Sequence, residues 1–208
     1  MLKWILIFTM AMSAALSAEI NVLAFAGSTR QDSVNKKLIN EAAKIARDLG
    51  ANVSLVDLKD YPMPLYDADL EAAEGMPENV KYLRNLMLQS QVVLVASPDY
   101  NHSIPAVLKN TLDWISRSEN AERSREAYLG KKFAIMSASP GKGGGAKALV
   151  HLRDILEDQR AIVLPQQLSI PDAYNAFDEE GKLKDPKLHT DLQQLIESSF
   201  NESINRLN

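Results

Sequence analysis

The sequence predicts an α/β domain in which a five-stranded parallel sheet carries helices on both faces. Two observations support this class. Beyond residue 19, short apolar runs of strand length alternate with longer amphipathic runs of helical period. Most of the apolar runs are nearly continuous, as expected of strands that are buried on both faces rather than on one.

The apolar runs set the predicted strands. These lie at residues 20–26, 52–58, 91–96, 132–138 and 161–164. The segment QVVLVA at 91–96 is the most strand-like, while NVSLVDL at 52–58 alternates and contains β-branched residues. The last strand, AIVL, is the shortest, and a proline-containing loop follows it.

Apolar residues at helical spacing predict five helices. These lie at residues 33–49, 77–90, 104–117, 144–158 and 188–207. Gly50 ends the first helix, and Pro77 and Pro105 occupy first-turn positions, where the missing N–H of proline costs nothing. Residues 61–77 contain three prolines, a glycine and several acids, and are predicted to form a long surface loop.

Composition limits the classes of function. The 208 residues are enough for one domain with a complete core, and no linker or repeat divides residues 19–208. The net charge of −4, with basic residues spread among acids, argues against nucleic-acid binding. The chain has no cysteine, so disulfides, thiolate ligands and thiol nucleophiles are excluded, and its three scattered histidines do not suggest a metal site.

The first 18 residues, MLKWILIFTMAMSAALSA, have the layout of a secretory signal peptide. Lys3 precedes an apolar run at 4–12, which is short for a membrane span, and small residues follow as far as Ala18. This layout predicts export, with cleavage after Ala18 and a periplasmic or secreted domain at 19–208. The alternative is an uncleaved anchor or an extension that is never exported, which leaves the domain in the cytoplasm.

In parallel α/β sheets, ligands bind outside the carboxyl ends of the strands, where the strand order reverses. The loops after the first, third and fourth strands therefore form the candidate site. The first, GSTRQDSVN at 27–35, combines hydroxyl, amide and cationic groups with a helix N-terminus, which favours a phosphate. The Gly-Lys-Ser/Thr ending of a P-loop is absent, so triphosphate hydrolysis is not indicated. The alternative is that Ser33 or Asp32 is only a helix cap and that Arg30 is solvated.

The other two loops suit a flat ring. Tyr100 and Asn101 follow the third strand in a proline-braced loop, and a tyrosine offers both a stacking face and a polar tip. The glycine-rich segment SPGKGGG at 139–145 follows the fourth strand and lets a ligand approach the backbone closely. The simpler alternatives are a turn before a proline-started helix and a mobile linker. His102 has no visible partner and is interpreted as an exposed loop histidine rather than a general base.

Three segments carry a family resemblance: GSTRxxSxN, SPDYNHSIPAVLKNTLDWISR and SASPGxxGGxxA…HLRDIL. Together they resemble the NADPH-dependent FMN reductase family, which includes small quinone, azo and chromate reductases. The resemblance runs from about residue 21 to the last helix, and its most specific part is PDYN…LKNTLDW. It implies a flavodoxin-like three-layer sandwich with the strand order 2-1-3-4-5.

The resemblance also implies a set of cofactor-binding residues. The FMN phosphate would be held by Ser28, Arg30, Ser33 and Asn35. The isoalloxazine would be lined by Pro98, Asp99, Tyr100 and Asn101, with Ser139 and Gly141 approaching from the third loop. Asp99 stands where the family commonly has Glu, and Lys147 stands where many relatives have Arg.

The implied activity is that of an FMN-dependent oxidoreductase in which the flavin, not a protein side chain, carries the chemistry. Electrons pass from NADPH or NADH through FMN to a small acceptor, such as a quinone, an azo compound, a metal oxyanion or free flavin. Relatives form dimers or tetramers, so a homodimer or homotetramer with FMN at a subunit edge is expected. The alternative is an exported flavin-binding electron carrier or interaction protein that does not turn over with NAD(P)H.

Overall fold

The structure, a computed structural model, describes residues 19–201. Its strands are β1 (Asn21–Ala26), β2 (Asn52–Val56), β3 (Val92–Ala96), β4 (Lys132–Ala138), β5 (Ile162–Val163) and β6 (Leu168–Ile170). Its helices are α1 (Val34–Asp48), α2 (Ala68–Glu74), α3 (Glu78–Gln89), α4 (Ala106–Ile115), α5 (Ala146–Asp158) and α6 (Pro186–Phe200). The predicted signal peptide at 1–18 and the end of the predicted last helix at 202–208 lie outside the described residues.

The strands form one parallel sheet with the order β2-β1-β3-β4-β5, which confirms the predicted order. The order reverses at β1, because the chain adds β2 on one side of it and β3 on the other. Ala26 pairs with Ala96, and Ala96 pairs with Met136, so the three central strands end at one edge of the sheet. The predicted loops therefore emerge at the reversal point.

The fifth position of the sheet differs from the prediction of a single strand at 161–164. Two short strands share this position along β4: β5 pairs with Lys132 and Phe133, and β6 pairs with the last three residues of β4. Pro165 stands between them and has no N–H to donate to the ladder, so the strand is interrupted there. Because β6 resumes pairing and ends opposite Ala138, the chain returns to the carboxyl edge once more.

Helices cover both faces of the sheet, as predicted. On one face, α1 and α6 pack against the side chains of Val22, Ala24 and Ala26. On the other, α3, α4 and α5 pack against those of Leu23 and Phe25. Burial on both faces is the physical reason for the nearly continuous apolar runs in β1 and β3. Within residues 19–201, no helix has the length and apolar character needed to cross a bilayer.

The prediction that residues 61–77 form an irregular loop was wrong in part, because the segment contains α2. Asp67 caps this helix, accepting hydrogen bonds from the N–H groups of Asp69 and Leu70, and Gly75 ends it with a φ of +76°. The segment is fastened to α4 by Trp114 Nε1, which donates to the Pro64 carbonyl at 2.9 Å. The prediction missed α2 because prolines precede it and indicate a loop, although the helix has an ordinary N-cap residue and an ordinary terminating glycine.

Candidate functional site

Three loops meet at the carboxyl edge of the sheet: the arginine loop (residues 27–33), the tyrosine loop (97–105) and the glycine loop (139–145). The Gly27 N–H donates to the Ala96 carbonyl at 2.8 Å and so holds the arginine loop against the end of β3. A Cβ on Gly27 would lie 2.9 Å from Leu108 of α4, which explains the need for glycine. The predicted site residues of the three loops are thus brought to one edge.

In the arginine loop, Ser33 is the N-cap residue of α1, but its hydroxyl makes no capping hydrogen bond although the residue is only 5% exposed. Ser33 therefore has the backbone position of a helix cap, but its side chain does not cap the helix. The alternative that Ser33 is only a helix cap holds for its backbone alone. Ser28 is also buried, and its Oγ accepts the Arg30 N–H at 3.3 Å. The Arg30 side chain is exposed and makes only a long contact, 3.4 Å, to the Asp32 carbonyl.

Asn35 lies in the first turn of α1, as predicted, and is 2% exposed. Its Nδ2 donates to the carbonyl of Ala138 at 2.8 Å, and its Oδ1 accepts the N–H of the same residue at 2.9 Å. The side-chain amide is therefore engaged with the last residue of β4. Its main-chain N–H belongs to the first turn of α1, and the first N–H groups of a helix have no intrahelical partner.

The tyrosine loop makes a two-residue turn. Tyr100 and Ser103 exchange hydrogen bonds of 3.0 and 3.1 Å, and Asn101 and His102 between them have φ values of +55° and +64°. Such a turn requires left-handed backbone at both positions, which asparagine tolerates well. Asp99 stabilises it, because its Oδ1 accepts the His102 N–H at 2.8 Å.

Exposure within the tyrosine loop falls into two classes. Pro98 is buried, whereas Tyr100 is 50% exposed and presents its ring at the edge of the sheet. The side chain of His102 is 71% exposed, and its Nδ1 lies 4.0 Å from Asp99 Oδ2, beyond hydrogen-bonding distance. The interpretation of His102 as an exposed loop histidine is confirmed.

The glycine loop contains two kinds of glycine. Gly141 is exposed, and a Cβ there would meet nothing within 4 Å, so the backbone is open to a ligand. Gly144 and Gly145 have φ values of +58° and +87°, and added Cβ atoms would overlap Ile170 in the first case and Ser137 in the second. The need for glycine at these two positions comes from close packing, and it was not predicted although both lie in the run of three glycines at 143–145.

A fourth loop, residues 171–175 after β6, also reaches the site and was not predicted to do so. The Ala173 N–H donates to the Ser139 carbonyl at 3.2 Å, while Asp172 has a φ of +46° and accepts from the Asn175 side chain. This bracing holds Tyr174 next to the glycine loop with 65% of its surface exposed. The sequence signal for this loop is Pro165, which interrupts the fifth strand and is followed by β6, the strand that ends at this edge.

A cavity of about 250 Å³ lies at the carboxyl ends of β1 and β2, lined by Ala26, Lys36 and Asp57 among others. Two cavities of about 630 and 690 Å³ lie elsewhere: one at the amino edge of the sheet, beside Ile20 and Phe200, and one beside α1, against Glu41 and His189. Cationic groups at the carboxyl edge are the exposed side chains of Arg30, Lys142 and Lys147. Within residues 19–201, no three His, Asp or Glu side chains cluster as they would around a metal ion.

The chain is similar to several proteins of one kind. The family model for NADPH-dependent FMN reductases matches residues 20–175. An NAD(P)H-dependent FMN reductase of Pseudomonas aeruginosa is 35% identical over 185 residues, which cover 88% of this chain and 95% of that protein. A quinone reductase of Escherichia coli is 35% identical over 152 residues, which cover 72% and 76% respectively.

A solved structure is similar along most of its length. The flavoenzyme NAD(P)H:(acceptor) oxidoreductase FerB of Paracoccus denitrificans has a TM-score of 0.71 and 28% sequence identity to this chain. The superposition covers 86% of this chain and 94% of that one. The likeness thus extends over most of this chain.

Proposed function

The chain belongs to the NADPH-dependent FMN reductase family, and we propose that it binds FMN across the loops that follow β1, β3 and β4. It is an FMN-dependent oxidoreductase. When bound, FMN supplies the redox chemistry, receiving electrons from NAD(P)H and passing them to a small acceptor. The named relatives are reductases, which favours the enzyme over an electron carrier that does not use NAD(P)H.

For the phosphate end of FMN we assign Ser28, Arg30, Ser33 and the first-turn main chain at Asn35. The uncommitted Ser33 hydroxyl at the N-terminus of α1 is the observation that carries this assignment. A helix N-terminus presents unpaired N–H groups and a partial positive charge, both of which favour a phosphate. Arg30 adds an exposed guanidinium, whose planar fork matches phosphate oxygens.

For the ring end we assign Pro98, Asp99, Tyr100 and Asn101 of the tyrosine loop, with Ser139 and Gly141 of the glycine loop. The half-exposed Tyr100 ring and the open backbone at Gly141 suit a flat aromatic group. The turn is held by its own hydrogen bonds, so these groups are oriented before the ligand arrives. Asp99 stabilises this turn through its side chain, which accepts the His102 N–H.

The protein residues bind and orient, and none is required as a nucleophile. His102 and His151 are exposed, and His151 Nδ1 lies 3.0 Å from Ser103 Oγ, so the tyrosine loop is also tied to α5. Within residues 19–201, no third group bonds to His151 to orient it as a base would require, so these contacts serve to fix the loop. The arrangement agrees with a reaction whose electron transfer is supplied by the cofactor.

For the acceptor we propose a quinone, because quinone reductases are among the curated relatives. An azo compound, a metal oxyanion and free flavin are the competing acceptors to compare. The measurement is the rate at which reduced enzyme is reoxidised by each acceptor at equal concentration. A quinone rate below those of the other acceptors contradicts this choice.

We propose that the protein is a homodimer or homotetramer with the FMN site at a subunit edge. Tyr100 and Tyr174 leave large aromatic surfaces exposed beside the site, and a second subunit would cover such surfaces. Light scattering after gel filtration measures the mass, and a monomer at micromolar concentration contradicts the proposal.

We propose that residues 1–18 direct export, on the basis of their signal-peptide layout. A mature N-terminus at Glu19 in protein purified from its native source is the expected result. Met1 retained in a cytosolic fraction would contradict export and leave the assignment of the FMN site unchanged.

The function is tested by an anaerobic absorbance titration of the purified protein. We expect FMN to bind stoichiometrically, its visible band to disappear on addition of NADPH or NADH, and the band to return when a quinone is added. Binding without bleaching by either nicotinamide would favour the electron carrier. Absence of FMN binding would overturn the proposed site.

A further inference from the structure

We propose that Asn35 is a positioning residue that joins the arginine loop to the glycine loop, and that its side chain does not contact the FMN phosphate. This role rests on the FMN site proposed above. It concerns one buried side chain whose polar groups are already paired inside the protein.

The two hydrogen bonds fix the orientation of the Asn35 amide. The Nδ2 group faces a carbonyl oxygen at 2.8 Å, and Oδ1 faces an N–H at 2.9 Å, both of Ala138. Exchanging the amide nitrogen and oxygen would place a donor against a donor and an acceptor against an acceptor. The observed orientation is therefore the one that pairs all four groups, and it points the amide at β4.

The contact continues the sheet beyond the end of β3. The last ladder bond between β3 and β4 runs from the Ser97 N–H to the Met136 carbonyl at 2.8 Å. Main-chain groups of alternate residues in a strand face the same neighbour, so Ala138 presents its groups to the β3 side. Asn35 pairs with both of these groups and thereby substitutes for a strand residue at that place.

The consequence is a direct link between two parts of the proposed FMN site. Asn35 follows Ser33 by two residues, and Ala138 immediately precedes Ser139. The phosphate-binding end is thus bonded to the start of the loop assigned to the ring. Without the amide, the Ala138 N–H and carbonyl would be buried and unpaired, and the two ends of the site would be free to separate.

Comparison of FMN with riboflavin, which lacks the phosphate, separates positioning from phosphate contact. The variant is Asn35→Ala, and Ser33→Ala is the matched control at a residue assigned to the phosphate. We expect Asn35→Ala to weaken both flavins by the same factor, about tenfold for two lost hydrogen bonds. Ser33→Ala should weaken FMN and leave riboflavin unchanged. An Asn35→Ala protein that loses affinity for FMN only would overturn the proposal.

Hydrogen exchange of the flavin-free protein gives a second readout. We expect Asn35→Ala to raise exchange at amides of residues 138–145 while the centre of the sheet keeps its protection; Ser33→Ala should leave both unchanged. Uniformly raised exchange would mean that Asn35 is merely structural and would contradict the proposal. If Asn35→Ala does not fold, Asn35→Asp retains the acceptor for the Ala138 N–H and is measured in the same way. If the unaltered protein binds neither flavin, the proposed FMN site fails, whereas the exchange result still reports on the link.

Discussion

Gly145 lies directly against Ser137: a Cβ on Gly145 would stand 1.9 Å from Ser137 Oγ. Ser137 is fully buried, and its hydroxyl has no hydrogen-bond partner among the described residues. The same Cβ would lie 3.4 Å from the Cβ of Asp99. The start of α5 therefore packs closely on the end of β4 and on the tyrosine loop, and a side chain at 145 would separate them.

Gly145→Ala should destabilise the protein by about 2–4 kcal/mol, from left-handed backbone strain and from overpacking against Ser137. Urea unfolding measures the loss. Gly143→Ala is the control, because a Cβ there meets nothing within 4 Å. Adding Ser137→Ala to Gly145→Ala should recover part of the loss, since it removes the nearest atom. Equal stability of the two single glycine variants contradicts this explanation.

Arg30→Ala should weaken FMN binding by about 1.5–3 kcal/mol, the range for a hydrogen bond to a charged group. Riboflavin affinity should not change, because only the phosphate is recognised there. Arg47→Ala, an exposed arginine in the last turn of α1, is the control. Fluorescence titration measures both flavins, and an unchanged FMN affinity in Arg30→Ala would contradict the assignment.

Arg117→Met should destabilise the protein by about 3–5 kcal/mol, because it leaves the buried Glu71 carboxylate without its cationic partner, with only the Tyr66 hydroxyl at 3.1 Å still donating to it. Glu71 is 2% exposed, and its two oxygens accept from Arg117 Nε at 3.0 and 2.9 Å. Lys109→Met, which breaks an exposed pair with Asp113, should cost less than about 1 kcal/mol. The double variant Arg117→Met with Glu71→Gln should recover most of the stability, and thermal unfolding of all four proteins tests this.

Alkaline pH should destabilise the protein through Tyr128. Burial, with a smaller contribution from the Asp113 charge, raises the pKa of this tyrosine well above its usual value. The folded protein therefore keeps a proton that the unfolded chain loses near pH 10. The contribution is complete below that pH and falls by up to about 1.4 kcal/mol per pH unit above it.

Tyr128→Phe isolates this effect from that of the other tyrosines. It removes a hydrogen bond from the Tyr128 hydroxyl to the Leu112 carbonyl at 2.7 Å, so it should cost about 1–2 kcal/mol at pH 8. The difference from the unaltered protein should shrink between pH 10 and 11. A difference that stays constant in urea unfolding over this range contradicts the linkage to Tyr128.

Much of the fold follows from local pattern. The buried β1 and β3 were predicted within a residue of their observed bounds, because a strand covered on both faces must be apolar throughout. The helix α2 was missed because nearby prolines outweighed the Asp67 cap. The interruption of the fifth strand was also missed, since the pairing of β6 depends on β4 rather than on its own three residues.

For the candidate site, too, some features could be predicted from the sequence and others depend on the tertiary structure. The sequence by itself determined the alternation of strands and helices and the loops that follow the strands, because these depend on residue type, hydrophobic period and glycine or proline placement. The strand order followed from the resemblance of three segments to a known family, not from periodicity. Only the tertiary structure decided that the Asn35 amide pairs with Ala138, that Ser33 leaves its hydroxyl uncommitted and that Ser137 requires Gly145. The hydrogen bond from Asn35 to Ala138 joins residues 103 apart in the chain. Local sequence patterns indicate helices, strands and turns, but they do not indicate which residues so far apart will meet.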